Sequence, residues 1–180
     1  FSPREIMDKR AIGVFDTGLG GLTVVKEIRK ILPNESIIYL GDTARIPYVT
    51  RSKETVVRFS FEDANFLLEK KIKCIVVACN TASALAGRIL KKKIGLPVFE
   101  VITPALKEAK RISRKGKIGV IGTRGTITSG AYKVDFGIAC PLLVPFIEEG
   151  EIENEAIKIV LKNYLKPLKG KIGTLVLGCT

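Results

Sequence analysis

The chain has 180 residues, 46% of them hydrophobic, and its 30 Lys and Arg against 18 Asp and Glu give a formal charge of +12. That composition excludes a disordered or fibrous chain and fits a globular one of a single domain or two small ones. No apolar run approaches the roughly 20 residues that cross a bilayer, and residues 1–10 hold no signal-peptide core, so the reading is a cytoplasmic protein with no membrane partner.

Four cysteines, Cys74, Cys79, Cys140 and Cys179, form no close pair, and the sequence contains no histidine. Neither a disulfide framework nor a zinc site is indicated, and no metal is expected. The basic residues gather in helical stretches, such as Lys26, Arg29 and Lys30 or the run at 91–93, without the interleaved aromatics that stack on bases. This is the pattern of a solvated helical face and not of a nucleic-acid footprint. The field would still draw in a small anionic substrate.

The first strand is expected at 12–15, with a glycine-rich loop at 16–22. A helix over 22–31 would turn Val24, Val25, Ile28 and Ile31 inward and stop before Pro33. A second strand follows at 37–40 and a loop at 41–48. Ser52 with Thr55 then opens a long helix whose Val57, Phe61, Ala64 and Leu68 share a face. The apolar run at 74–78 reads as a buried parallel strand with Cys79 at its carboxyl end, where open α/β sheets bind ligands. Thr81 or Ser83 would cap the next helix, which carries Ala84, Leu85, Ile89 and Leu90 and ends near Gly95. A fourth strand at 97–101 leads to a helix opened by Thr103 and Pro104, and the domain boundary is placed there, giving units 11–103 and 104–180.

The second unit repeats this grammar. Strands are expected at 117–121, 134–139 and 175–177, with a glycine and threonine loop at 122–129. Helices are expected at 142–149 and after Asn154, the latter carrying Ile157, Val160, Leu161 and Tyr164. Alternating strands and helices imply an α/β fold with parallel sheets flanked by helices. The stretch between Tyr132 and Val134 leaves almost no room for a crossover, and Gly178 to Thr180 has the form of a loop about to start a helix. Further segments are therefore expected at both places.

Cys79 is echoed by Cys179, each followed by polar residues after an apolar run. A thiol at a helix N-terminus is expected to have a lowered pKa and to serve as base or nucleophile, whereas Cys74 and Cys140 read as packing residues. Two such thiols facing one ligand suit the removal of a proton from carbon on one side and its return on the other, which inverts a stereocentre. Asn80, Thr81, Thr123 and Thr180 could hold the substrate's carboxylates. Asp16 could bind an amine or cap the following helix. The loop at 18–21 lacks the GxGxxG spacing and the Walker lysine, so a flavin or nucleotide site has weak support.

Several motifs in order, FDTGLGGLT at 15–23, GDTAR at 41–45, PY at 47–48, ACNTA at 78–82, GVIGT at 119–123, ACP at 139–141 and LGCT at 177–180, resemble those of the bacterial glutamate racemase family. The resemblance covers essentially the whole chain from Ala11. It implies a cofactor-independent enzyme of two pseudo-symmetric α/β domains with its active site in the cleft between them. It further implies L- and D-glutamate as ligands, D-glutamate supply for peptidoglycan, and a homodimer. By position, Cys79 and Cys179 match the catalytic pair, acting on the D- and L-isomer respectively. Asp16 and Glu148 match supporting carboxylates, and Asp16, Thr17, Tyr48, Asn80, Thr81 and Thr180 match substrate contacts. Val49 stands where the family usually has glycine after Pro-Tyr, at a backbone contact, and the family's histidine after Cys-Thr would follow Thr180. A racemase for aspartate or another amino acid of the same superfamily and a non-catalytic binding protein on this scaffold are the other readings.

Overall fold

The computed structural model describes residues 8–46, 48, 51–113 and 116–180. Two apolar runs become the central strands of two sheets, β1 at Ile12–Asp16 and β5 at Ile118–Gly122, and every residue of both is buried. Strands covered on both faces tolerate no alternation of polar residues, which is why these runs are apolar or small up to Asp16, the last residue of β1. In chain order the other elements are α1 (Leu22–Ile31), β2 (Ile37–Gly41), α2 (Lys53–Glu69), β3 (Cys74–Val77), α3 (Asn80–Leu85), α4 (Gly87–Lys93), β4 (Val98–Glu100) and α5 (Ile102–Ser113). After β5 come α6 (Arg124–Thr128), β6 (Phe136–Ala139), α7 (Leu143–Glu148), α8 (Glu155–Leu165) and β7 (Thr174–Gly178).

The first sheet has strand order β2-β1-β3-β4 and the second β6-β5-β7, with every pairing parallel. The α/β expectation is met. Register explains the echo between the cysteines. Phe15 pairs with Val77, so the carboxyl end of β1 lies beside the segment entering Cys79. Gly122 pairs with Gly178, so the carboxyl end of β5 lies beside Cys179.

In the first sheet Phe15, Leu67, Ile75 and Val77 pack on one face, and Ile12 and Val14 meet Val24, Val25 and Ile28 of α1 on the other. Fully burying side chains of this size contributes about 1.5–3 kcal/mol each. In the second sheet Val120 packs with Ile102 and Tyr132, and Ile121 with Cys140 and Leu168.

Five local expectations are corrected. Ile31 is exposed, because α1 has reached its last turn there and no element covers it. The inner face of α2 is centred on Val56, Ser60, Asp63, Ala64 and Leu67, about one position from the predicted stripe. The helix after β3 is capped neither by Thr81 nor by Ser83. Cys79 takes that place in extended conformation, its sulfur accepting from Ala82 N–H at 3.4 Å, while Ser83 Oγ donates back to the Val77 carbonyl. The helix itself is interrupted at Ala86, giving α3 and α4. Finally, the loop at 122–129 contains α6, because Thr123 Oγ1 accepts from Thr126 N–H and caps it. With this helix, residues 123–135 are enough to carry the chain from β5 to its parallel neighbour β6, so a crossover exists where the sequence reading saw no room for one.

Candidate active site

The carboxyl ends of both sheets converge on one cavity of about 80 Å³. It is lined by Asp16, Thr17, Tyr48, Cys79, Asn80, Thr81, Thr123, Glu148, Cys179 and Thr180. These are all the expected site residues except Val49, which lies outside the described residues. An apolar groove of about 860 Å³ shares Thr123, Val144, Glu148, Cys179 and Thr180, among others, with this cavity and continues over Leu143, Ile147 and Leu177. Ligand pockets usually hold about 300–1,000 Å³. The small cavity alone falls below that range, and the two are continuous.

Asp16 sits at the end of β1 and is almost fully buried. Its Oδ2 accepts from the backbone N–H groups of Gly18 at 3.2 Å and Gly21 at 2.9 Å. Its Oδ1 accepts from Thr180 Oγ1 at 3.3 Å. Asp16 is not the cap of α1, whose N-cap is Gly21 without a side-chain cap bond; its Oδ2 holds the turn before that helix and its Oδ1 faces Thr180.

Burial and the charge of Asp16 push the Cys79 thiol up to about 12, outweighing the Ala82 N–H and the Thr17 hydroxyl that favour the thiolate. The Cys179 thiol is pushed up to about 11 by the same two causes, with the Thr180 N–H opposing and Glu148 adding. Cys179 as a residue is exposed, yet its sulfur is crowded by the cleft, so desolvation still dominates. The expected lowering by a helix end is therefore overturned. A cap hydrogen bond is real at Cys79, but a nearby carboxylate and a dry environment favour the neutral thiol more strongly. Asp16 acts on both thiols and Glu148 on Cys179, so the two carboxylates are unequally shared.

Asn80 Oδ1 accepts from the Tyr132 hydroxyl at 2.6 Å. Thr81 Oγ1 lies 2.8 Å from Thr123 Oγ1, and both reach Thr126 Oγ1, at 3.4 and 3.0 Å. This hydroxyl cluster ties α3 of the first sheet to α6 of the second. Tyr48 lines the cavity, but its hydroxyl donates to Asp42 Oδ2 at 2.6 Å, leaving its ring and backbone to face a ligand. Behind it Arg45 bridges Asp42 and Asp63, at 2.8 and 2.7 Å. Among the described residues no group of three His, Cys, Asp or Glu is placed to hold a metal ion, and no helix is long and apolar enough to cross a membrane.

The sequence reading missed Thr126, Tyr132 and Asp63 at this site. Thr126 had a signal, since it stands three residues after the capping Thr123. Asp63 also had one, as a carboxylate on the inward stripe of α2. Tyr132 had none, because its partner lies 52 positions away.

A family model described as Asp/Glu/Hydantoin racemase matches residues 12–180. The glutamate racemase of Aquifex aeolicus is 55% identical over 177 residues, which are 94% of this chain and 70% of that protein. The crystal structure of glutamate racemase from Francisella tularensis in complex with D-glutamate superposes with a TM-score of 0.88 at 42% identity, covering 96% of this chain and 69% of the other. That of Thermus thermophilus in complex with β-chloro-D-alanine superposes at 0.87 with 44% identity, covering 95% and 67%.

Proposed function

The chain belongs to the Asp/Glu/hydantoin racemase family, and from that premise we propose that it interconverts L- and D-glutamate by proton transfer at Cα between two cysteines. The observation that carries this reading is the meeting of Cys79, Cys179 and Asp16 in one cavity at the carboxyl ends of two parallel sheets. The 55% identity to the Aquifex aeolicus enzyme and the likeness to a D-glutamate complex support glutamate as the ligand.

The substrate's α-ammonium sits against Asp16 Oδ1. Its carboxylates take the Asn80 amide, the Thr81 and Thr123 hydroxyls and the backbone of Thr180; Thr17 and Tyr48 close the site. Neither thiol is ionised in the empty cleft at neutral pH, because burial and Asp16 hold both up. The incoming ammonium offsets the Asp16 charge and favours a thiolate. In the D-to-L direction the Cys79 thiolate takes the Cα proton, negative charge develops toward the α-carboxylate, and the Cys179 thiol delivers a proton to the opposite face. The reverse reaction exchanges the roles. Asp16 serves Cys79 and Glu148 serves Cys179 in restoring the starting protonation. The reaction needs no cofactor. Units 11–103 and 104–180 supply one thiol each, in a cytoplasmic homodimer whose D-glutamate serves peptidoglycan synthesis.

The test is Cα hydrogen–deuterium exchange, followed by NMR and circular dichroism from L- and D-glutamate separately in D₂O without added cofactor. Exchange with inversion from both isomers is expected, and Cys79→Ala or Cys179→Ala should abolish inversion. Exchange with aspartate alone would change the substrate. No exchange with either would leave a binding protein on this scaffold.

A further inference from the structure

Tyr132 lies outside the cavity lining and has no part in the chemistry above, yet it touches the neighbour of each cysteine. Its hydroxyl donates to Asn80 Oδ1 at 2.6 Å, and Asn80 is the first residue of α3, directly after Cys79. Its ring backs Gly178, the residue before Cys179. A Cβ at Gly178 would lie 3.3 Å from Tyr132 Cε2 and 2.9 Å from both the Ile121 carbonyl and Val120 Cγ2. The ring is itself held by Ile102 and Val120. Tyr132 and Asn80 are both buried residues.

We propose that Tyr132 is a positioning residue that sets the Asn80 carboxamide and the spacing of the two cysteine-bearing loops. A phenol has one hydrogen to give, and giving it to Oδ1 settles which end of the amide points where. The Asn80 Nδ2 group is then the end turned to the cavity that Asn80 lines. An amide N–H₂ presented there suits a carboxylate ligand; the flipped amide would present oxygen to an anion and repel it. The strut also has a geometric task. Two thiols acting on opposite faces of one carbon both need near-attack separations of about 3–3.5 Å, and a displacement of about 1 Å can cost about 10²-fold.

This inference rests on the racemase reading for its kinetic consequence but not for its structural one. Tyr132→Phe keeps the ring and removes only the hydroxyl. The expected result is a KM for both glutamate isomers raised about tenfold with kcat changed less than about threefold, the pattern of lost binding. In the free protein the Asn80 side-chain amide signals should move in ¹⁵N-resolved NMR. Tyr132→Leu, which also removes the ring, should lower kcat as well. A KM unchanged in Tyr132→Phe, or Asn80 amide signals that stay in place, would overturn the proposal. If the wild-type protein is inert toward glutamate, the racemase reading fails by itself, and the amide signals still decide whether Tyr132 holds Asn80.

Discussion

Asp16 and Thr180 stand 164 positions apart and meet across the cleft at 3.3 Å, Thr180 Oγ1 donating to Asp16 Oδ1. The other oxygen of Asp16 is tied to the Gly18 and Gly21 amides, so both oxygens of the carboxylate are held in place. Asp16→Asn keeps the shape and removes the charge. Both thiols lose a cause of their raised pKa, and alkylation by iodoacetamide at pH 8 should become faster at both. Neutral hydrogen bonds replace charge-assisted ones, at a stability cost of about 1–2 kcal/mol in chemical denaturation. Racemisation should fall about 10²-fold, within the range for losing a positioned acid or base. Slower alkylation would contradict the electrostatic assignment.

The pH dependence follows from the same two thiols. With Cys179 held up to about 11 and Cys79 to about 12, the fraction carrying the thiolate that begins turnover is small at neutral pH and increases with pH. The value of kcat/KM, which reports the ionisations of the free protein, should rise from about pH 7 to pH 9. Stability moves the other way. A thiol whose folded pKa is raised contributes stability that is complete below the unfolded value near 9 and is lost as pH climbs toward the folded one. The thermal midpoint should therefore decline between about pH 9 and pH 11, less steeply in Cys79→Ala. A pH-independent rate over this range would refute the neutral-thiol ground state.

The parts of the fold that were legible in the sequence are those with local causes. Strands β1 and β5 announce themselves as continuous apolar runs, Ser52 and Asn154 cap helices as their side chains dictate, and the motif order brought Cys79 and Cys179 to one cavity. What escaped depends on neighbours far along the chain. Nothing around Tyr132 says that it meets Asn80. Cys79 was legible as a residue at a helix start, but the direction of its pKa was not, because the burial and the Asp16 carboxylate that decide it arrive from other elements. The short α6 was hidden by glycine and threonine, residues that read as loop until the Thr123 cap is seen.

Asp63 on α2 supplies a third prediction. It is buried beside Asp42, and the Tyr48 hydroxyl reaches both carboxylates, at 3.3 and 2.6 Å. One hydroxyl hydrogen cannot serve two acceptors. Burial first, then the Asp42 charge, push Asp63 up to about 7, against Arg45 and Tyr48. Because its folded pKa lies above the unfolded value, Asp63 contributes stability at acidic pH that is lost as pH rises from about 4 to 7. The slope is up to about 1.4 kcal/mol per pH unit. Asp63→Asn mimics the protonated form and should flatten that part of a stability–pH curve while sparing the contact with Arg45. A wild-type curve that rises across this window would show Asp63 to be ionised.

Gly21 is confined by space and not by backbone angle. Its φ of −61° and ψ of −15° suit any residue, but a Cβ there would stand 2.5 Å from the Cβ of Asp16, 2.9 Å from Tyr39 Oη and 3.1 Å from the Cβ of Ala78. Tyr39 cannot swing aside freely, because its hydroxyl donates to the Gly18 carbonyl at 2.6 Å. Gly21→Ala must then push Asp16 or strand β3, and overpacking of this kind costs about 1–3 kcal/mol. Gly95 is the control, since a Cβ there meets nothing within 4 Å and its φ lies outside the left-handed region. Gly95→Ala should be neutral or stabilise by up to about 1 kcal/mol through the unfolded chain. Thermal midpoints of the two variants, read beside their racemisation rates, test the pairing. Gly21→Ala should lose both stability and rate, because the residue it displaces is the one whose charge acts on both thiols, while Gly95→Ala should lose neither.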